Sequence, residues 1–166
     1  MFEDAFRGFG FIPLGPAPRI NDAAGSKEAK EEICMKFLKR ILGICETPLP
    51  ADSGCWDHVD QAIRLRLDRT PELARPGGAV RLEGKGLSRR ILVVHGEDGA
   101  FHALGNRCTH MGRRIDPLPG TDRIACCSVS KSTFTYSGKP VGGAARKPLE
   151  IFPVSASGGE LEINVP

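Results

Sequence analysis

One stretch of this chain concentrates the residue types that can bind a metal or attack a substrate. Cys108 and His110 are separated by one residue, and Cys127 follows after sixteen more. Thiolate and imidazole are donors that iron and zinc bind well. The same two groups also suit nucleophilic catalysis, because a nearby imidazolium stabilises the reactive thiolate. The stretch therefore predicts a metal centre or, as the enzyme alternative, a catalytic pair of Cys127 and His110.

The sequence around these residues resembles the cluster-binding loops of the Rieske [2Fe–2S] family. The first family loop is matched by Cys108-Thr109-His110-Met111-Gly112, and the second is matched at Cys127, Ser132 and Phe134. Residues 143–148 resemble the loop that covers the cluster in that family. The similarity extends over residues 62–165, and it implies a small antiparallel β-sandwich with the ligand loops projecting from a subdomain.

The resemblance also implies how a [2Fe–2S] cluster would be held, with two thiolates on one iron and two imidazoles on the other. Cys108, Cys127 and His110 take three of the four places, and Ser130 stands at the position of the second histidine. Ser132 is placed to offer its hydroxyl to a cluster sulfur, or else it is a turn residue that satisfies its own backbone.

Several other donors could complete the ligand set. Cys126 adjoins Cys127, but neighbouring side chains of a strand point to opposite faces. We therefore expect Cys126 to face the sandwich interior and Cys127 to face the loops. Ser130 has the right spacing, although a hydroxyl suits iron less well than thiolate or imidazole. His95 and His102 flank a predicted turn and are interpreted as buried, hydrogen-bonded histidines. A ligand from a partner protein is a further alternative.

Composition narrows the classes of function. The chain has 23 basic and 20 acidic residues, and no basic run alternates with aromatic residues, so nucleic-acid binding is not indicated. No stretch approaches the ~20 apolar residues of a membrane span. Glu3 and Asp4 stand where a secretory signal would be positive, which predicts a cytoplasmic protein. In that reducing compartment we interpret Cys34, Cys45 and Cys55 as small buried apolar residues rather than disulfide partners.

The first 55 residues are predicted to precede the β domain. Residues 1–25 are interpreted as an extended arm that docks on a partner, with disorder as the alternative. The arm carries four phenylalanines, Phe2, Phe6, Phe9 and Phe11. Residues 26–55 are predicted to form a helix over 26–45 followed by a linker. The apolar stripe of that helix includes Leu38, Ile41 and Leu42, and we expect it to pack on the β domain, with a partner protein as the alternative.

Residues 56–166 are predicted to form an all-β, Rieske-like domain with a cluster-loop subdomain at about 105–145. From residue 62 the apolar period changes to two, since Ile63, Leu65 and Leu67 alternate with charged residues. Further strands are predicted at residues 79–83, 90–95, 100–104, 123–126, 133–136, 149–154 and 160–165. Glycine-containing turns at residues 97–99 and 137–139 predict two hairpins.

Two functions follow from these observations. The first is an electron-transfer protein, or a subunit of a larger oxidoreductase, that carries an atypical [2Fe–2S] cluster, serves a protein redox partner and is not catalytic alone. The second is a cluster-free Rieske-like subunit with a structural or docking role. The ligand residues Cys108, His110 and Cys127 favour the first function, and the serine at position 130 favours the second.

Overall fold

The computed structural model describes residues 31, 34, 35, 38, 39 and 41–166, so the predicted arm at residues 1–25 lies outside the described part. Within that part the chain folds into twelve strands and two short 3₁₀ turns, Leu67–Arg69 and Pro71–Leu73. The strands are β1 (Trp56–Val59), β2 (Ala62–Arg66), β3 (Ala79–Leu82), β4 (Ile91–His95), β5 (Phe101–Gly105), β6 (Ile115–Pro117), β7 (Arg123–Cys126), β8 (Thr133–Thr135), β9 (Pro140–Gly142), β10 (Ile151–Phe152), β11 (Val154–Ser157) and β12 (Glu160–Asn164). The predicted all-β fold class is confirmed.

The strands form three antiparallel sheets of four strands each. The basal sheet has the order β1-β2-β12-β11, the central sheet has the order β10-β5-β4-β3, and the distal sheet has the order β6-β7-β8-β9. In the basal sheet Ile63 of β2 lies opposite Ile163 of β12, which places their side chains on the same face. The distal sheet falls within the predicted cluster-loop subdomain, and its strand ends carry the ligand loops.

The central sheet is covered on both faces, and this explains the continuous apolar run of β4. Ile91 and Val93 join the core that the central sheet shares with the basal sheet. Leu92 and Val94 join a second core, which the central sheet shares with the distal sheet. All four side chains are fully buried. At about 1.5–3 kcal/mol for each buried aliphatic side chain, this strand contributes stability to both layers.

Most strands lie within one or two residues of their predicted positions, but four strands were not predicted from the sequence. These are β1, β6, β9 and β11, of which β6 contains Pro117 and β9 begins at Pro140. A proline lacks the N–H that a central strand needs, so the sequence pattern argues against a strand there. The distal sheet accommodates both prolines because β6 and β9 are its two edge strands.

The predicted N-terminal helix is described only in part. Its described residues are helical up to residue 42, where Gly43 adopts a φ of +68°. The Ile44 N–H donates to the Lys39 carbonyl oxygen at 2.8 Å, which is the hydrogen bond of a Schellman helix end. Leu38, Ile41 and Leu42 are 49%, 46% and 64% exposed, so the expected packing of these side chains on the β domain is wrong. No helix among the described residues is long and apolar enough to cross a membrane.

Candidate metal centre

The first ligand loop is a tight turn that runs from Cys108 to Arg113. The Cys108 N–H donates to the Arg113 carbonyl oxygen at 2.7 Å, and the Gly112 N–H donates back to the Cys108 carbonyl oxygen at 2.7 Å. Gly112 has a φ of +69°, a conformation that favours glycine. The result is a buried Cys108 sulfur beneath a tip on which His110 and Met111 are exposed.

The second ligand loop connects β7 to β8 and is closed by its own backbone. The Cys126 N–H donates to the Ser132 carbonyl oxygen at 2.8 Å, and the Ser128 N–H donates to the Cys126 carbonyl oxygen at 2.8 Å. Ser128 is buried and its hydroxyl lies 3.1 Å from that of Ser130, which is exposed. Two hydroxyl groups therefore lie together where the Rieske family has its second histidine.

A third loop, residues 143–147, holds the two ligand loops together. The Thr109 hydroxyl donates to the Lys147 carbonyl oxygen at 2.8 Å, and the Ala145 N–H donates to the Ser132 hydroxyl oxygen at 3.0 Å. A Cβ atom on Gly143 would lie 2.6 Å from the Ser132 Cα atom, so only glycine fits there. Ser132 is thus bonded to the covering loop rather than to its own turn, and its O–H proton can still be donated.

The two neighbouring cysteines of the second loop point in opposite directions, as a strand requires. Cys126 and Cys108 belong to one buried cluster, and the Cys108 thiol influences the pKa of Cys126. The sulfur of Cys127 points away from them and is bonded to the sulfur of Cys45. Cys126 faces the interior as expected, and Cys108 lies on the same side. The expectation that Cys127 faces the ligand loops is wrong, because its sulfur is bonded to Cys45 on the other side of the strand. Which cysteine binds iron stays a prediction, and the geometry favours Cys126.

The interpretation of the N-terminal cysteines needs correction. Cys45 and Cys127 form a disulfide with a Cα–Cα distance of 5.6 Å, although Cys45 was interpreted as a small buried apolar residue. Cys34 is exposed, and only Cys55 is a buried thiol as predicted. No spacing rule links positions 45 and 127, which are 82 residues apart in the sequence. The same disulfide removes the free thiolate that a catalytic pair of Cys127 and His110 would need.

Burial controls the protonation of the inner cysteine. Desolvation raises the pKa of the Cys126 thiol to about 11, with the hydrogen bond from Ser128 opposing the shift and the Cys108 thiol adding to it. A metal ion that bound Cys126 would therefore displace a proton from it. The apolar surroundings protect the bound form, since Cys108 and Cys126 are 1% and 3% exposed.

The other histidines lie away from the two ligand loops. The chain has four histidines, and His58 and His95 each place Nδ1 beside a backbone carbonyl oxygen, at 3.4 and 2.8 Å. His102 places Nε2 2.9 Å from an Asp98 carboxylate oxygen and stacks on an aromatic ring. His95 and His102 are hydrogen-bonded as expected, but each is half-buried. His110 is thus the one histidine at the loops, and this chain has no second imidazole for a Rieske ligand set.

Two arginines fix the ligand loops to the central sheet. Arg114, which precedes β6, donates from Nε and Nη2 to the two carboxylate oxygens of Glu83 at 2.7 and 2.9 Å. This hydrogen bonding lowers the pKa of the Glu83 carboxyl. The Arg114 carbonyl oxygen in turn accepts the Cys127 N–H at 3.0 Å. Arg90 donates to the Gly112 carbonyl oxygen at 2.9 Å, so both loops are connected to the sheet beneath them.

The donor set fits three of the four ligand places of a [2Fe–2S] cluster. Cys108 and Cys126 supply two adjacent buried thiols, and His110 supplies one exposed imidazole. The residues three places after Cys126 and Cys127 are Val129 and Ser130, and neither carries an imidazole. The site therefore suits a cluster whose remaining iron position is filled by another donor.

Comparisons with known proteins agree with this architecture. The family model of the Rieske [2Fe–2S] domain matches residues 67–153, which are 87 of the 166 residues. The ferredoxin of carbazole 1,9a-dioxygenase from Nocardioides aromaticivorans IC177 is 20% identical, with a TM-score of 0.52 over 64% of this chain and 100% of that chain. A chain in a complex of reduced oxygenase and oxidized ferredoxin in carbazole 1,9a-dioxygenase is 24% identical, with a TM-score of 0.50 over 63% and 94%.

The solved structures support the fold of this chain, and the family model supports its membership of a protein family. No curated protein matched the chain. Because the family model spans more than half of the chain, this protein belongs to the Rieske [2Fe–2S] domain family.

Proposed function

We propose that this protein is a Rieske-type electron-transfer component of a larger oxidoreductase, with a [2Fe–2S] cluster held by Cys108, His110 and Cys126. The observation that carries this proposal is that Cys108 and Cys126 share one buried apolar cluster, while His110, two residues after Cys108, is exposed. A cluster of this type accepts and returns one electron without a change in protein bonding. The chain's own residues exclude water from the thiolates and hold the loops in place.

The loop tip is suited to contact with a redox partner. His110 and Met111 project from the end of the molecule, and Met111 is 59% exposed. An exposed ligand histidine shortens the distance that an electron must cross to a docked protein. One solved relative of this fold was studied as a ferredoxin in complex with its oxygenase, which supports a protein as the partner here. Docking through the phenylalanine arm and a cytoplasmic location are parts of this proposal that rest on sequence alone.

The fourth ligand is the atypical feature of the proposed centre. No histidine of this chain is available for it, because His58, His95 and His102 are engaged elsewhere. Ser130 is the internal candidate, since its hydroxyl lies 3.1 Å from that of Ser128, which itself bonds Cys126. A donor from the partner protein is the external candidate. Replacing Ser130 with alanine separates them, because only the internal ligand would be lost.

A cluster-free docking module is the second candidate function. It is favoured by the missing imidazole and by the burial of Cys108 and Cys126 in one apolar cluster, where two neutral thiols are stable without a metal. In that case the three loops would present a surface to a partner, and the two thiols would serve only as buried apolar groups.

Anaerobic purification followed by iron analysis, sulfide analysis and an optical spectrum distinguishes these functions. The electron-transfer proposal expects a coloured protein with two iron atoms and two acid-labile sulfides per chain, as the cluster formula requires. The docking module expects a colourless protein whose Cys108 and Cys126 react with a thiol reagent after unfolding. A colourless product that also takes up no iron and sulfide on reconstitution would overturn the first proposal.

A further inference from the structure

A second group of potential metal ligands lies on the side of β7 opposite to Cys126. The sulfur atoms of Cys45 and Cys127 and a carboxylate oxygen of Asp116 all lie within 4.8 Å of one another. The closest approach to the carboxylate is 3.2 Å, between Cys127 Sγ and Asp116 Oδ2. Two sulfurs and one carboxylate oxygen are donors that Zn²⁺ binds. This group is separate from the proposed cluster ligands.

The carboxylate is already oriented toward the sulfur atoms. Asp116 Oδ1 accepts the Thr47 N–H at 3.0 Å and the Thr47 hydroxyl at 2.6 Å. Asp116 Oδ2 accepts the Glu46 N–H at 2.8 Å. Such hydrogen bonds fix the orientation of a carboxylate ligand and support metal binding. Because they hold the two residues after Cys45, they also keep that cysteine beside Cys127 when the disulfide is reduced.

The distances suit a tetrahedral zinc site after a small change. With Zn–S bonds of about 2.3 Å and a Zn–O bond of about 2.0 Å, the edges of a tetrahedron are about 3.8 Å for S–S and about 3.5 Å for S–O. The observed S–O distance of 3.2 Å is close to that edge. Reduction breaks the S–S bond and moves the two sulfur atoms apart to non-bonded contact. Their separation can then reach the S–S distance of the tetrahedron.

Charge and access are also compatible with a cation. Two thiolates and one carboxylate would carry three negative charges, which exceed the charge of one divalent ion. Lys39 and Glu46 line a surface depression next to Asp116 and Cys127. The Lys39 ammonium offsets the excess negative charge, whereas Glu46 adds to the attraction for a cation. The depression leaves the fourth position open to a water molecule, as in zinc sites with three protein ligands.

We propose that Cys45, Asp116 and Cys127 bind one Zn²⁺ when their disulfide is reduced, so that metal and disulfide exclude one another. A dithiol reductant gives two electrons and two protons to the Cys45–Cys127 bond and becomes its own cyclic disulfide. Zn²⁺ then displaces the two thiol protons. Two-electron oxidation by a disulfide reagent reforms the bond and releases the ion. This inference stands apart from the cluster proposal, since it uses none of the cluster ligands.

Co²⁺ is the probe, because thiolate–cobalt charge transfer gives an optical band that Zn²⁺ then abolishes. The experiment uses the full chain with Cys108 and Cys126 both replaced by alanine, so that only the proposed site offers two thiolates. After reduction with a phosphine and removal of the reductant, we expect one Co²⁺ per chain and its replacement by Zn²⁺. The oxidised protein should bind none. Asp116→Asn should weaken binding by at least about tenfold.

Two further variants keep this inference testable if that background fails to fold. In the otherwise unchanged chain, Cys45→Ala should lower the zinc content of the reduced protein by one ion, as measured with a chromophoric chelator. Cys34→Ala removes an exposed cysteine from the same segment and should change nothing. Equal zinc content in the two variants, or no cobalt uptake on reduction, would overturn the proposed site. Neither outcome bears on iron binding by Cys108 and Cys126.

Discussion

The two sides of the β7 end place two adjacent cysteines in different chemical surroundings. On the inner side Cys126 meets Cys108 in an apolar cluster that is shared with the central sheet. On the outer side Cys127 meets Cys45 and the carboxylate of Asp116. The inner pair is screened from water, whereas the outer pair lies beside a negative group and an open depression. Because neighbouring side chains of a strand point to opposite faces, these two consecutive cysteines lie in different chemical surroundings.

The same comparison explains how the segment before the β domain is attached to it. The outer side is where residues 45–47 attach to the β domain, through the disulfide and the Asp116 hydrogen bonds. Arg113 of the first ligand loop adds a contact, since its guanidinium donates to the Ile41 carbonyl oxygen at the helix end. Among the described residues, the inner side is formed by the β domain. A change on the outer side should therefore alter the attachment of the segment before it alters the inner thiols.

The largest expected effect is the loss of the outer disulfide. Closing a loop across 82 residues should stabilise the folded chain by about 3–4 kcal/mol through the entropy of the unfolded state. Phosphine reduction of the chelator-treated protein should lower the urea midpoint accordingly. Cys45→Ala should show the lowered midpoint and no further response to reductant. An unchanged midpoint in the reduced wild type would mean that the bond does not constrain the β domain.

The next effect concerns the covering loop on the inner side. Gly143→Ala places a Cβ atom 2.6 Å from the Ser132 Cα atom in a backbone with a φ of +76°. We expect a loss of about 3 kcal/mol from the strain and the clash together. Gly159→Ala is the matched control, because its φ of +83° is similar and no atom lies within 4 Å of the added Cβ. The control should lose about 1 kcal/mol. Equal losses in chemical denaturation would contradict the described packing of this loop.

A smaller effect is expected for the ion pair that connects the loops to the central sheet. Glu83→Gln weakens the two-contact pair with Arg114 and should cost about 1–2 kcal/mol at neutral pH. Glu162→Gln, whose pair with Arg64 is exposed, should cost less than about 0.5 kcal/mol. Chemical denaturation of the wild type and both variants at one pH measures the two losses of stability. Similar losses in the two variants would contradict a structural role for the Glu83 pair.

The pH dependence of the Glu83–Arg114 pair follows from the direction in which the pKa of Glu83 is shifted. The hydrogen bond from Arg114 lowers the folded-state pKa of Glu83 below its ordinary value of 4.5. The pair therefore contributes its full stability above the ordinary value and loses it as the pH falls through the lower folded-state value. The stability difference between wild type and Glu83→Gln should be constant above about pH 6 and should shrink below 4.5. A difference that grew on acidification would contradict this assignment.

The smallest effect is local to the outer side. Asp116→Asn should weaken the attachment of residues 45–47 by about 1 kcal/mol, because a charged acceptor is replaced by a neutral one. Hydrogen exchange at the Glu46 and Thr47 amides should then accelerate about fivefold to tenfold, with little change in the global unfolding midpoint. Asp122→Asn changes a well exposed carboxylate in the same subdomain and should leave these amides unaffected. Unchanged exchange in Asp116→Asn would show that the disulfide alone holds the segment.

Local pattern predicted the sandwich well, because alternation reports directly on which side chains are buried. The period-two segment at β2 and the apolar run of β4 are examples, and the run is continuous because the strand serves two cores. The edge strands β6 and β9 escaped prediction because Pro117 and Pro140 are tolerated only at an edge. A single sequence does not indicate which strands become edges, since that depends on the assembled sheet.

The candidate site could be predicted only as far as its loops. The spacing of Cys108, His110 and the paired cysteines indicated where donors converge, and the structure places them on adjacent loops. Strand alternation predicted that Cys126 faces the interior, but no local pattern indicates that Cys108 lies on that same side. The partner of Cys127 lies 82 residues away, and the two residues after it donate hydrogen bonds to Asp116 that hold it there. Such long-range contacts are visible only in the folded chain.

The most direct test of the central claim is a matched pair of variants, Cys126→Ala and Cys127→Ala, purified anaerobically and analysed for iron, acid-labile sulfide and optical spectrum. Circular dichroism of both variants controls for folding. Assignment of the inner thiols to the cluster predicts that Cys126→Ala loses most of its iron and colour, whereas Cys127→Ala keeps both. Retention of the cluster in Cys126→Ala together with its loss in Cys127→Ala would contradict the account.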